Sequence, residues 1–345
     1  MKKTVNKQAD TNNVNQSLTQ WKLTHPYRAK HIGLLIVILL VLWITGQRVE
    51  IGKMILLMGE GVGAVFGINE TSQVTQGLGQ ITKSLFPLQI SDKVEIARIE
   101  NFDRNKLPLF SSVGIEEIKN MRLNPETLQM QEIVEKKEVL VMPIGYLWFV
   151  ILKMIETLEI ALWGTIVAIL ISAPLSFFAA RNYSPSLFTY GVSRGIISMF
   201  RSIPELISAL FLVLAFGFGP IAGILALGIH CAGFLGKFYA EDIENADPKP
   251  QEALIAIGAN KVKVLWYAVI PQVLPQYIAY TLYILDRNVR MATVIGIVGA
   301  GGIGQELKGR FDMFNYSHVG TILLVIFVTV FILDQISARL RARYI

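Results

Sequence analysis

The sequence predicts an all-α polytopic membrane protein with about six transmembrane helices. Three observations carry that reading. Hydrophobic residues make up 52% of the 345 and charged residues only 17%, against about a quarter charged in soluble domains. Apolar runs long enough to cross a bilayer recur along the chain. Lys and Arg gather at both ends, where the positive-inside rule places cytoplasmic segments. Six crossings then leave both termini in the cytoplasm.

Each element follows in order. Residues 1–30 set Lys2, Lys3, Lys7, Lys22, Arg28 and Lys30 against one acid, Asp10, and read as a cytoplasmic tail. "HIGLLIVILLVLWITG", residues 31–46, is the first transmembrane helix. It is an uncleaved anchor, because the tail before it is long and no small-x-small site follows. Residues 47–144 form an extracytoplasmic insertion. In it Ile51, Met54, Ile55, Met58, Val62 and Val65 recur at helical spacing while Lys53 and Glu60 interrupt them; that pattern suits an amphipathic helix lying on the outer surface. From about 80 to 143 the chain is charged, mixed in sign and punctuated by Pro87, Pro108, Pro125 and Pro143. The core, 145–337, supplies five more spans: one ending near Arg181, a broken one over 187–217 with "RSIPE" inside it, and three over 221–238, 272–298 and 317–336. A basic cytoplasmic tail, 338–345, closes the chain with Arg339, Arg341 and Arg343.

Several function classes are excluded. One cysteine, Cys231, rules out an internal disulfide framework or thiolate cluster, and its apolar surroundings make it a small core residue. His25, His31, His230 and His318 show no metal-ligand spacing, so no metal is expected. Aromatics lie inside apolar runs with basic residues flanking them, which argues against a nucleic-acid partner. No nucleophile, base or metal set converges in the spans, so no catalytic residue is assigned.

"EALIAIGANKVKVLWYAVIPQVLPQ", Glu252 to Gln276, stands apart. It lies in the cytoplasmic connection 239–271. Asp247 is placed to cap a short helix that Pro248 or Pro250 starts. Gly258 ends that helix where a left-handed residue is needed. Asn260 caps the next, and Pro271 and Pro275 remove backbone donors as it enters the membrane. A short helix fixed at each end to a span suits transmission of force from a soluble partner; an ordinary loop with one helical turn is the other reading.

"VIGIVGAGGIGQEL" satisfies G-x-G-x-x-G at Gly299, Gly301 and Gly304, with Gly302 between them. A dinucleotide site needs a βαβ context that the flanking spans deny. The glycines serve instead a tight turn and close packing at the outer end of the fifth span.

Charges within spans are functional candidates by default. The fifth span holds Asp286, Arg287, Asn288 and Arg290. Asp286 and Arg290 stand one turn apart and neutralise each other. Arg287 either faces a pathway and attracts an oxyanion or pairs with an acid such as Glu205 or Glu156. Arg201 and Glu205 bracket Pro204 and are expected to pair as i,i+4 partners. Glu156 and Glu159 are explained by an interfacial position.

The motifs "ETLEIALWGT", "SFFAARN", "RSIPEL", "GKFYAEDIENADPKPQEAL", "IPQVLPQYIAYTLY" and "NVRMATVIGIVGAGGIGQEL", in that order over roughly 150–345, resemble the permease subunits of phosphonate-type ABC importers. The resemblance implies the type I ABC importer permease fold and a homodimer in a prokaryotic plasma (inner) membrane. It implies two cytoplasmic ABC ATPases that bind ATP and Mg, and an extracytoplasmic substrate-binding protein. The chain itself has no Walker glycines or lysine and takes no cofactor. Glu252, Ala253, Leu254 (where many members have a second alanine), Gly258, Ala259 and Pro271 match the family's EAA loop, whose short helix docks in the ATPase. The glycines then pack near the dimer axis. The cargo is phosphonate, phosphite or phosphate. An ATP-independent carrier or channel for a small anion is the rival, and it has no use for an ATPase-docking helix.

Overall fold

The computed structural model describes residues 29–65, 72–99, 102–104, 107–108, 110–123 and 130–344. All of the tail 1–30 except residues 29 and 30 lies outside them. The chain forms two compact units, divided between Ile81 and Thr82.

In the first unit, α1 (Ala29–Arg48) and α2 (Ile51–Val65) meet at a 69° bend. Glu50 makes the corner with a positive φ of 53°. Leu34 to Ile44 of α1 are exposed on every side; a helix apolar all round with no protein cover is one made for lipid. Most of α3 (Gln73–Leu85) also belongs to this unit.

The second unit opens with a three-stranded antiparallel sheet, β1 (Asp92–Glu95), β2 (Ser112–Leu123) and β3 (Met130–Met142), in the order β1-β3-β2. Its register sets Val94 opposite Leu140 and Gly114 opposite Val139. Val139 and Leu140, consecutive in β3 and so on opposite faces of the sheet, are both buried, while Lys137 reaches Glu95 at 3.1 Å. Composition had shown only a charged insertion here; the strands are an addition to the all-α expectation. The segment before the sheet is strapped to the bundle. Leu147 N–H donates to Ile90 O at 3.1 Å, and Thr321 Oγ1 donates to Gln89 O at 2.7 Å.

The helical bundle follows: α4 (Gly145–Ala179), α5 (Leu187–Ser202), α6 (Glu205–Phe216), α7 (Pro220–Asn245), α8 (Pro248–Ala256), α9 (Lys261–Gly296), α10 (Gly302–Asp312) and α11 (Tyr316–Tyr344). α4 buries a face of mostly small residues that includes Ala161, Gly164, Thr165, Ala168, Ser172 and Ser176, and it exposes Trp148, Leu152, Leu162, Trp163 and Leu170. Lipid is as apolar as leucine, so close backbone packing rather than greasiness holds such helices together. α7 answers with its own small face: a Cβ on Gly228 would sit 2.6 Å from Val167, and one on Gly164 would sit 2.9 Å from Leu227 Cβ.

Several boundaries differ from the sequence reading. Helix α7 runs on to Asn245 and α9 begins at Lys261, so the connection expected over 239–271 is largely helical. α9 takes a π-helical turn over Leu265–Val269 just before Pro271, which accommodates the missing donor. α11 continues through the basic tail to Tyr344. Among the described residues, four helices are long and apolar enough to cross a membrane, or up to six if each bent pair counts as one span.

Candidate functional site

Three sites carry the residues singled out by the sequence. The first is α8. Asp247 Oδ1 accepts from Lys249 N–H at 3.0 Å and Pro248 takes the first helical position. Gly258 adopts φ 84°, the left-handed conformation that ends the helix, and Asn260 Oδ1 accepts from Lys263 N–H at 2.9 Å. No residue of α8 is buried; Glu252, Ala253, Ile255, Ile257 and Gly258 are all exposed, while Leu254 and Ala259 are half-buried. Two contacts tie the exposed helix to the bundle. Asp247 N–H donates to Gln272 Oε1 at 2.9 Å, and Tyr183 O–H donates to Gln251 Oε1 at 2.9 Å. Burial lifts the Tyr183 phenol above its ordinary range, which keeps that donor proton in place. A cavity of about 400 Å³ lies under the helix, lined by Tyr183, Gln251, Ile255, Ala259 and Asn260 among others. Tyr183 and Gln251 were not singled out from the sequence, because 68 residues separate them.

The second site is a charge cluster inside the bundle. Arg287 Nη2 lies 2.7 Å from Glu205 Oε1, and His230 Nε2 lies 3.2 Å from Glu205 Oε2. The Glu205 and His230 side chains are only 12% and 7% exposed. Of the two readings of Arg287, its pairing with Glu205 is the contact present. His230 Nδ1 stands 3.0 Å from Ile203 O, so it carries the proton and donates to that carbonyl. The expected Arg201–Glu205 pair is not formed. Pro204 forces Ile203 out of the helix into extended backbone, φ −91° and ψ 119°, and α6 leaves α5 at 89°. The i,i+4 relation needs an unbroken helix, and this one is broken between the two residues. Arg201 and Arg287 both lie against the Phe234 ring, 4.9 and 5.1 Å from its centroid.

Near the cluster, Asn288 is fully enclosed. Its Nδ2 donates to Thr165 Oγ1 at 2.9 Å and its Oδ1 accepts from Cys231 Sγ–H at 3.0 Å. Asp286 and Arg290 meet at 2.6 Å. Arg290 is 45% exposed and borders a groove with Leu323, Phe327 and Asp334. His230 joins the cluster without any local signal, since its partners are 25, 27 and 57 residues away in sequence. Among the described residues no His, Cys, Asp and Glu group forms a metal cluster.

The third site is the turn between α9 and α10. Gly299, Gly301 and Gly302 have φ of 95°, 85° and 71°. A Cβ on Gly304 would stand 2.0 Å from Thr293 O. Glu156 Oε1 accepts from Gly302 N–H at 3.0 Å and Thr157 Oγ1 from Ile303 N–H at 2.8 Å, so α4 supplies the N-terminal cap of α10. An interfacial position alone does not explain Glu156. Its carboxylate has a partner that no spacing rule reveals.

The family described as binding-protein-dependent transport system inner membrane component matches residues 172–344. The putative phosphite transport system permease protein HtxE of Stutzerimonas stutzeri is 62% identical over 261 residues, 76% of this chain and 100% of its own length. Any stretch of that length in a chain of 345 contains residues 85–261, so the residues that form the sheet lie inside the matched sequence. The phosphate-import permease protein PhnE of Mycolicibacterium smegmatis (strain ATCC 700084 / mc(2)155) is 41% identical over 190 residues, 55% of this chain and 36% of that one. Among solved structures, an inward-facing form of the MetNI methionine ABC transporter shares the fold, with a TM-score of 0.52 at 20% identity over 59% of this chain and 100% of that one. With its family model spanning half of the sequence and a relative matched end to end, this chain belongs to the binding-protein-dependent transport system inner membrane components, the permeases of type I ABC importers.

Proposed function

We propose that the chain carries a small tetrahedral phosphorus oxyanion (phosphite, a phosphonate or phosphate) through the inner membrane. The observation that carries the substrate class is 62% identity along the whole length of a protein named as a phosphite permease. A phosphate-import permease at 41% identity supports the same class. The permease works as a pair of copies on two cytoplasmic ATPases, which hold the ATP and Mg, and it receives its cargo from an extracytoplasmic binding protein. Both termini face the cytoplasm.

Exposed α8 supports the coupling role. Ile255 and Ile257 offer apolar surface next to Glu252 and Ala253, as a docking contact needs. Closure of the ATPases on ATP pushes the two α8 helices together. Because Asp247 and Gln251 link α8 to Gln272 and Tyr183, that displacement reaches α9 and the end of α4 rather than being lost in a loop.

ATP hydrolysis by the complex in lipid, with binding protein loaded in turn with phosphite, methylphosphonate or phosphate, tests the reading. One loaded form should stimulate hydrolysis and name the cargo. Gly258→Val, which forces a β-branched residue to φ 84° at about 1–2 kcal/mol, should weaken ATPase assembly and cut stimulated hydrolysis severalfold. A permease that moves the anion with no ATPase bound is instead a carrier or channel.

A further inference from the structure

The charge cluster in the bundle does not balance. Two guanidiniums, Arg201 and Arg287, face the same Phe234 ring, and Glu205 is the acid among them. Glu205 spends both oxygens elsewhere, one on Arg287 and one on His230. His230 donates its Nδ1 proton to Ile203 O, and its Nε2 lies 3.2 Å from both Glu205 Oε2 and Arg287 Nη2. Arg287 is therefore neutralised. Arg201 is not: among the described residues it makes no ion pair, and its Nε is buried with no hydrogen-bond partner.

The place of this unbalanced cation matters. Phe234 lies 14 residues into α7, about 21 Å along it, and Arg287 lies nine residues before the end of α9, about 13 Å. Measured from those ends, both fall within the depth of a hydrocarbon core of about 30 Å, where a lone charge is costly. The fold nevertheless builds a seat for it. A Cβ on Gly233 would stand 2.7 Å from Arg201 Cγ and 2.9 Å from Ile197 O, so the stem of Arg201 lies flat across α7 where only glycine leaves room. The Phe234 face then holds the guanidinium by cation–π attraction.

We propose that Arg201 is the transmembrane contact for the transported oxyanion, with Phe234 as its platform and Arg287 as a structural counter-ion to Glu205. This rests on the phosphorus-oxyanion reading above. A guanidinium presents donors in a rigid fork that matches two oxygens of a tetrahedral anion. One free cation suits a transport step better than two. Binding must be favourable enough to admit the anion and weak enough to release it, and Glu205 removes the second charge.

The test is phosphite, methylphosphonate and phosphate uptake by the full complex with its binding protein in proteoliposomes, counted per ATP hydrolysed. Arg201→Gln, close in size but neutral, should transport about tenfold fewer anions per ATP, the loss of one charge-assisted contact. Arg201→Lys, which keeps the charge and loses the fork, should recover at least about a third of the wild-type value. Uptake by Arg201→Gln within twofold of wild type overturns the assignment. So does equal loss in the Lys and Gln variants, which marks a packing role. Should the wild-type complex couple hydrolysis to none of the three anions, the substrate reading falls and takes this site with it; a wild type that transports and an indifferent Arg201→Gln sinks the site alone.

Discussion

Glu205 is the residue on which the interior charges depend. It holds Arg287 at 2.7 Å and His230 at 3.2 Å while 12% exposed. Removing one partner of such a pair leaves the other desolvated, which costs more than the pair contributes when intact. Arg287→Ala should therefore lower the stability of the purified permease by about 3 kcal/mol, read as a fall in its melting midpoint in detergent. Glu205→Gln combined with Arg287→Gln should recover most of that loss, and a double variant as unstable as the single one would contradict the pairing. Sequence made part of this visible. Intramembrane charges are rare, so Arg287, Glu205 and Arg201 stood out at once, and Glu205 could be named as one partner for Arg287. Their arrangement was not visible. A spacing rule joined Arg201 to Glu205 because four residues separate them, and it missed that Pro204 turns the backbone by 89° between the two. His230 gave no signal at all, since its partners come from other elements. Gly258, Asp247 and Asn260 were legible because capping is local chemistry, settled within three residues.

Helix α10 shows how one element depends on another. Its first turn follows a glycine corner and has no capping side chain of its own. Glu156 and Thr157, both on α4, accept from the amides of Gly302 and Ile303 instead. Lys153 holds the Glu156 carboxylate in place at 2.8 Å. Glu156→Ala should leave the Gly302 amide unpaired at about 1 kcal/mol, the ordinary value of a lost N-cap. Hydrogen exchange at Gly302 and Ile303 should accelerate severalfold, while Glu156→Gln, which still accepts, should change it much less. Unaltered exchange in the alanine variant would mean that Thr157 alone caps the helix. The glycines were readable as a turn because three of them needed a reason and the surrounding spans refused a nucleotide. Who capped the helix after them was not readable, with 146 residues between donor and acceptor. The sheet was hidden for another reason. Charged residues on both faces of its strands blur the period-two pattern that marks a half-buried strand, and pairing across a hairpin is what brings Val139 and Leu140 inside.

Across the whole bundle, α8 and α10 are expected on opposite sides of the membrane. Both adjoin α9, α8 at the Lys261 end and α10 at the Gly296 end. The 36 residues between those ends rise about 54 Å, well beyond a hydrocarbon core of about 30 Å, so this one helix is long enough to separate two compartments. Ser317 and Ile90 join the sheet's base to the starts of α11 and α4, the same end as α10. On the proposed function, coupling to an ATPase would belong to one face, and the sheet, the glycine turn and α10 to the other. The chain allows a direct check, because its single cysteine, Cys231, is buried and leaves little background for thiol labelling. Lys249→Cys, at an exposed position on α8, and Lys308→Cys, on α10 with half of its side chain exposed, report the two faces. A membrane-impermeant maleimide should label Lys308→Cys in right-side-out spheroplasts and Lys249→Cys only in inside-out vesicles. Labelling of both from the same side would mean that α9 does not cross. The reverse pattern would put the exposed helix where no ATP is found, and its role as the docking element for an ATPase would then have to be given up.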